Sequence, residues 1–150
     1  MLFRSVGEFL GQLFGNALYE EVLFRGVLLT QGILAGRAAG RTEGQAQRRA
    51  LLWSQAAFAL QHVPNRLAHG AWHSPGDAAL DLALLSVSGL FFAAVYLRTR
   101  NLLLVVALHA IANTPMLLLA AHAWLHGLVL LGVFVALLIW GPRWLCRSRP

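Results

Sequence analysis

Three charged side chains lie close together in an otherwise apolar stretch, and two of them are carboxylates that could act in acid–base catalysis. Glu20, Glu21 and Arg25 occur within six residues, and the segments on either side are rich in Leu, Phe and Val. A charge near the centre of a membrane helix costs roughly 3 kcal/mol and commonly marks a function. These groups are therefore the first candidates for a functional site.

Two further polar pairs lie in apolar segments, and helical spacing relates the members of each pair. Phe58 and His62 are four residues apart, and so are His109 and Asn113. An α-helix turns about 100° per residue, so residues four apart share a face. Each pair is therefore predicted to point into one space.

The same geometry predicts different roles for the two glutamates. Glu21 lies about 40° around an α-helix from Arg25 and can form an ion pair with it. Glu20 lies about 140° from Arg25, so its predicted partners are the histidines of other helices. The predicted site consists of Glu20, His62, His109 and Asn113.

The composition predicts an integral membrane protein that is all-α. Of 150 residues, 58% are hydrophobic and only 12% are charged, about half the charge of a soluble domain. This length accommodates a bundle of about five transmembrane helices in a single domain over residues 1–150. The net charge of +6 comes from arginines that cluster between apolar runs, a pattern that indicates topology control and not nucleic-acid binding.

The apolar runs predict helices separated by short polar segments. We expect polar loops at 36–49 and 63–76, a basic turn at 98–101 and a kink at Pro115. Gly7, Gly11 and Gly15 form two overlapping GxxxG motifs, for which packing within the chain is favoured over dimerisation. The predicted helices are 6–35, 50–62, 77–97, 102–120 and 124–140. The second is short for a span, which leaves open that it begins in the Arg-rich segment or continues as a re-entrant piece.

The arginines also predict an orientation. The segments after the first and third helices and the C-terminal tail hold nine arginines, whereas the opposite side holds Arg4 and Arg66. The positive-inside rule therefore predicts a cytoplasmic C-terminus. An Arg-only, Ala- and Leu-rich composition is typical of GC-rich bacteria, which predicts the bacterial inner membrane.

The three polar motifs together resemble those of the CPBP family, the CAAX prenyl endopeptidase and bacteriocin-processing intramembrane proteases. Glu20-Glu21-x-x-x-Arg25, Phe58-x-x-x-His62 and His109-x-x-x-Asn113 occur in that order on separate apolar segments. The resemblance covers roughly residues 8 to 120, the four-helix core. It implies hydrolysis of peptide bonds in membrane-associated or lipidated proteins or peptides.

The resemblance also implies a role for each residue. Glu20 and His62 would hold and deprotonate a water, while His109 and Asn113 would stabilise the oxyanion. Glu21 and Arg25 would support the helix, and Phe58 would pack the wall of the site. In a metal-dependent version, Glu20, His62 and His109 would instead bind Zn²⁺. The sequence leaves both versions open.

Other interpretations of the same residues remain open at this stage. The chain could be a non-catalytic membrane scaffold or a bacteriocin-immunity-type protein of the same fold. It could also be a small transporter in which Glu20 and His62 relay protons. The lipid bilayer and a membrane-associated protein or peptide are the predicted partners, and the sequence sets no oligomeric state.

Overall fold

The structure is a computed structural model, and it describes residues 2–114 together with 132, 135 and 136. All regular secondary structure in this part is helical, which confirms the all-α prediction. The elements in chain order are α1 (Leu2–Gly11), the π-helix π1 (Gln12–Ala17), α2 (Leu18–Glu21), the π-helix π2 (Val22–Leu29), α3 (Thr30–Ala38), α4 (Glu43–Ala68), α5 (Pro75–Thr99) and α6 (Leu102–Asn113).

The chain divides into two compact units. One comprises residues 1–21 and 94–150, and the other comprises residues 22–93. In the first unit, Ala17 of π1 packs against Val106 and Ala110 of α6, and Phe9 and Leu13 border this cluster. The second unit contains the hairpin of α3 and α4 and most of α5.

The predicted first helix contains two π-helical segments that the apolar pattern did not predict. A π-helix forms i→i+5 hydrogen bonds and occurs mostly as short insertions near functional sites. In π2, carbonyls of the wider helix accept side-chain hydrogen bonds: Ser54 Oγ donates to the Phe24 carbonyl and Thr30 Oγ1 donates to the Arg25 carbonyl, both at 2.8 Å. The rotation of 100° per residue therefore does not hold within π2, and the pairing of Glu21 with Arg25 stays a prediction.

The polar loop predicted at 36–49 is wrong except for residues 39–42. Thr42 starts α4 through a capping box, in which Thr42 and Gln45 each bind the other's backbone N–H. Glu43 fixes the same corner by accepting two hydrogen bonds from the Arg37 guanidinium, at 2.5 and 2.7 Å. These hydrogen bonds and the negative charge of Glu43 raise the pKa of Arg37.

The loop predicted at 63–76 is also shorter than expected, because α4 continues through Pro64 to Ala68. Leu60 and Pro64 are both exposed, so the hydrogen bond that proline cannot donate is lost on the outer face of the helix. At the end of α4, Arg66 binds Asp81 of α5 through two hydrogen bonds of 2.9 and 3.2 Å. Trp72 Nε1 also donates to Asp81, at 3.1 Å.

The turn between α5 and α6 confirms the predicted basic turn. Arg100 has a positive φ of 54°, and Asn101 caps α6 by accepting the Leu104 N–H at 3.0 Å. The fourth predicted helix is shorter than expected, since α6 ends at Asn113 and Thr114 is extended. A residue that precedes a proline avoids the helical conformation, which agrees with the extended Thr114. The kink predicted at Pro115 lies outside the described residues.

A close helix crossing in the second unit depends on small residues. A Cβ placed on Gly32 would lie 2.9 Å from the Ala50 Cβ, and one on Gly36 would lie 2.8 Å from the Ala46 Cβ. The sequence pattern had predicted close packing at Gly7, Gly11 and Gly15, but these glycines border open space. The Gly32-x-x-x-Gly36 motif, where the helices do approach closely, was not predicted. The packing predicted for the earlier glycines is therefore not seen in the part of the chain that the structure describes.

Among the described helices, α5 alone is both long and apolar enough to cross a membrane. The expectation of about five spans is not confirmed. The predicted fifth helix lies outside the described residues, apart from 132, 135 and 136, which are helical.

Candidate active site

The two glutamates lie on a single turn of α-helix between two π-helical segments. Glu20 and Glu21 close α2, and π1 and π2 flank it on both sides. Glu21 is fully buried, whereas the Glu20 side chain retains 15% of its exposure. A buried carboxylate is costly unless hydrogen bonds or charges compensate it, so the neighbours of Glu21 determine what this turn can do.

The histidine of α6 is one of those neighbours. The packing of Val106 and Ala110 on Ala17 holds α6 against π1 within the first unit, and His109 lies between these two residues in the sequence. His109 Nδ1 lies 2.7 Å from Glu21 Oε1, and His109 Nε2 lies 3.7 Å from Glu20 Oε2. His109 is 4% exposed, so the imidazole–carboxylate cluster is shielded from bulk solvent.

These distances assign different functions to the two nitrogens of His109. A carboxylate can only accept, so Nδ1 donates its hydrogen to Glu21 when that group is ionised. The other nitrogen faces Glu20 across a distance too long for a direct hydrogen bond. One water that hydrogen-bonds both atoms could bridge such a distance. Nε2 can donate to a developing negative charge only when the ring is protonated on both nitrogens.

Asn113 is the last residue of α6, one turn beyond His109. Its side chain is exposed, in contrast to that of His109. Helical spacing places the two residues on one side of α6. The exposed amide leaves Asn113 accessible to a ligand.

The second unit holds the remaining predicted residues in an aromatic stack. The Phe24 and Phe58 rings meet edge to face with centroids 5.3 Å apart, and the Phe58 and His62 rings are 5.0 Å apart. His62 Nδ1 lies 2.8 Å from the Phe58 carbonyl oxygen. That oxygen can only accept, so Nδ1 carries the proton and Nε2 carries the lone pair of the neutral ring.

Arg25 is fully buried in the same unit. Its guanidinium carbon lies 4.6 Å from the Phe58 ring centroid and 5.7 Å from that of Phe92. Nη2 donates to the Gly89 carbonyl at 2.8 Å. The planar cation is thus held by ring faces and a carbonyl, and it fixes the ring that precedes His62 by one turn.

Catalytic zinc normally takes three protein ligands and one open position. No group of three or more His, Cys, Asp or Glu side chains suited to a metal ion occurs in residues 2–114 or at 132, 135 and 136. His109 Nε2 and Glu20 Oε2 are two of the three donors of the metal-dependent version, and the third, His62, belongs to the other unit.

Sequence reasoning missed two features of this site. It did not predict the hydrogen bond between His109 and Glu21, because Glu21 was assigned to Arg25 on the geometry of a regular α-helix. It also did not predict the contacts of Arg25 with Phe58, Phe92 and Gly89. Aromatic residues near a buried arginine were the available signal for the second feature.

The described part of the chain is helical, and it carries a buried cluster of His109 with two carboxylates and a second histidine, His62, with a defined hydrogen bond. Imidazole and carboxylate groups are able to take part in acid–base chemistry. The family model of the type II CAAX prenyl endopeptidase Rce1-like proteins matches residues 3–115. The chain belongs to this family, in agreement with the resemblance drawn from its motifs. No curated protein and no solved structure matches the chain.

Membership in this family supports a protease activity. It also supports a membrane location, because proteins of this family are integral membrane proteins. The apolar helix α5 agrees with that location.

Proposed function

We propose that the chain is an intramembrane endopeptidase that hydrolyses peptide bonds of membrane-associated or lipidated proteins or peptides. The observation that carries this proposal is the cluster of His109 with Glu20 and Glu21, in a chain whose family is named for endopeptidase activity. If His109 only held two helices together, one hydrogen bond would suffice, and a second carboxylate beside the same imidazole would not be needed.

In this proposal Glu20 and His62 hold one water, and either group accepts its proton as the oxygen attacks the scissile carbonyl. The tautomer of His62 supports this role, since the hydrogen bond to Phe58 leaves the lone pair on Nε2. The partial exposure of Glu20 supports access of water to its carboxylate. A general base of this kind contributes about 10²- to 10⁴-fold to the rate. Glu20 and His62 belong to different units of the chain, and we propose that residues 1–150 act as one functional domain.

His109 and Asn113 are proposed as the donors to the oxyanion. For this role His109 must be protonated on both nitrogens, and Glu21 stabilises that cation through the hydrogen bond at Nδ1. Asn113 donates from its amide at any pH. Each donor of this type contributes about 10²- to 10³-fold to the rate.

The version that we propose uses no metal ion. In this version Glu20 and His62 act on the water directly, and His109 acts on the oxyanion without a bound Zn²⁺. We therefore assign proton transfer and oxyanion stabilisation to side chains alone.

The proposal can be tested without knowing the substrate. Membranes of a bacterial host that expresses the chain are analysed by mass spectrometry for new peptide termini, in parallel with the Glu20→Gln and Glu8→Gln variants. Glu8 is an exposed carboxylate of α1 and provides the matched control. New termini are expected with the original chain and with Glu8→Gln, and they should be missing with Glu20→Gln at equal protein abundance.

The same termini in the Glu20→Gln membranes would overturn the proposal. If none of the three proteins produces new peptide termini, the result would favour the non-catalytic scaffold, because that function needs no cleavage.

A further inference from the structure

A cavity of about 390 Å³ lies between the helices of the α3–α4 hairpin, within the second unit. One end is bordered by Arg41 and Arg49, and the wall includes Trp53. None of the proposed catalytic residues lines it. The cavity therefore needs an explanation of its own.

The interior of this cavity is largely apolar, and small residues without polar side chains form its floor. Gly32 and Gly36 of α3 and Ala50 of α4 line it, at the same crossing where the two helices approach most closely. Trp53 is 69% exposed and extends the apolar surface outward. The apolar part of the cavity forms a trough along α4. It extends for about 12 Å, from Arg49 to Ala57, the last lining residue of that helix.

The two arginines at the end of the trough differ from three other arginines of this unit, each of which has a partner. Arg37 binds Glu43, Arg66 binds Asp81, and Arg25 is held by rings and a carbonyl. Among the described residues, neither Arg41 nor Arg49 has an ion pair or a side-chain hydrogen bond. Their charge is therefore available to an anion, and guanidinium geometry suits a phosphate.

We propose that this groove, bordered by Arg41 and Arg49 and floored by Gly32, Gly36 and Ala50, binds an anionic phospholipid. The phosphate and headgroup bind the two arginines, and one acyl chain lies in the apolar trough against Trp53. The proposal extends beyond the peptidase function and does not depend on it.

Two observations favour a phospholipid over a soluble anion. A free phosphate would use the arginines and leave the apolar trough empty, whereas a lipid satisfies both ends. Basic side chains at a membrane surface attract anionic headgroups, and tryptophan is enriched at the same level of the bilayer. The family's location in membranes brings such a lipid to the groove.

The test is native mass spectrometry of the full chain, released from detergent with equal amounts of phosphatidylglycerol and phosphatidylcholine that carry identical acyl chains. The original chain is expected to retain phosphatidylglycerol preferentially. The Arg41→Gln/Arg49→Gln double variant should lose about 10- to 30-fold of that preference. Arg48→Gln is the matched control, since Arg48 neighbours Arg49 in the sequence but does not line the groove.

A second variant tests the trough without changing charge. Ala35 is exposed and lines the groove, so Ala35→Leu should fill the trough and reduce retention of the lipid. An unchanged preference in the double arginine variant would overturn the proposal. Equal losses in Arg48→Gln, or normal retention by Ala35→Leu, would contradict it as well.

Discussion

At the scale of residues, the arrangement of His109 with two glutamates is the feature on which the proposed chemistry depends. Sequence spacing related Glu20 to histidines on other segments, but it assigned Glu21 to Arg25 alone. The structure adds a buried hydrogen bond of 2.7 Å between Glu21 and His109. A carboxylate that accepts from one imidazole nitrogen fixes the ring and stabilises its cation, as carboxylates do in other histidine-dependent sites.

The first prediction concerns Glu21. Glu21→Gln keeps an acceptor for His109 Nδ1 but removes the negative charge, so the cationic ring that donates to the oxyanion is less stable. We expect kcat to fall about 10- to 100-fold with little change in KM. Steady-state kinetics on a cleaved peptide provide the measurement.

The exposed Glu8→Gln serves as the control, and its kinetics should equal those of the original chain. Full activity of Glu21→Gln would mean that the hydrogen bond to His109 has no part in catalysis.

The second prediction concerns metal dependence. The side-chain mechanism predicts that dialysis against a strong zinc chelator leaves the cleavage rate unchanged, and that metal analysis of the active protein finds far less than one zinc per chain. Loss of activity on chelation, with recovery on addition of Zn²⁺, would instead establish the metal-dependent version.

At the scale of elements, the helices that carry the site were predictable and their internal geometry was not. Apolar runs located the helices, and the basic turn at Arg100 was predicted correctly. The π-helical segments were missed because the apolar pattern carries no signal for i→i+5 hydrogen bonds. The sequence left open whether the second helix begins in the Arg-rich segment, and the capping box at Thr42 shows that α4 does begin there.

The third prediction concerns the crossing of α3 and α4. In Gly36→Leu the new Cβ would lie 2.8 Å from the Ala46 Cβ and 3.0 Å from its Cα, so the helices must separate. Overpacking of this kind costs about 1–3 kcal/mol, and the variant should unfold at a lower temperature in detergent. Thermal unfolding followed by circular dichroism measures the effect.

Gly44→Leu provides the matched control, because Gly44 lies in the first turn of α4 with open space around it. Its stability should be unchanged or slightly higher, since glycine is a poor helix former. An equal loss of stability in both variants would show that the crossing at Gly36 is not tightly packed.

At the scale of the whole molecule, the sequence predicted the family, and the match over residues 3–115 confirms it. Three weak motifs became specific because they occur in a fixed order on separate apolar segments. The number of spans could not be predicted as well. Length and hydropathy define a span only where a helix is continuously apolar, and among the described helices α5 alone meets both criteria.

The fourth prediction concerns orientation. We propose that the C-terminus is cytoplasmic, because nine of the twelve arginines lie in the segments assigned to that side. A C-terminal fusion to green fluorescent protein should fluoresce in a bacterial host, and a C-terminal alkaline phosphatase fusion should be inactive. The reverse pattern would mean that the arginine distribution does not set the topology.

The central claim is that Glu20 and His62 act together on one water. The direct measurement is a double-mutant cycle of Glu20→Gln and His62→Ala, with kcat/KM determined on a peptide that spans a cleavage site found in the host membranes. Each single variant should lose about 10²- to 10⁴-fold, and the double variant should be no slower than the slower single variant, because residues that act as a unit are non-additive. Losses that multiply in the double variant would contradict the account.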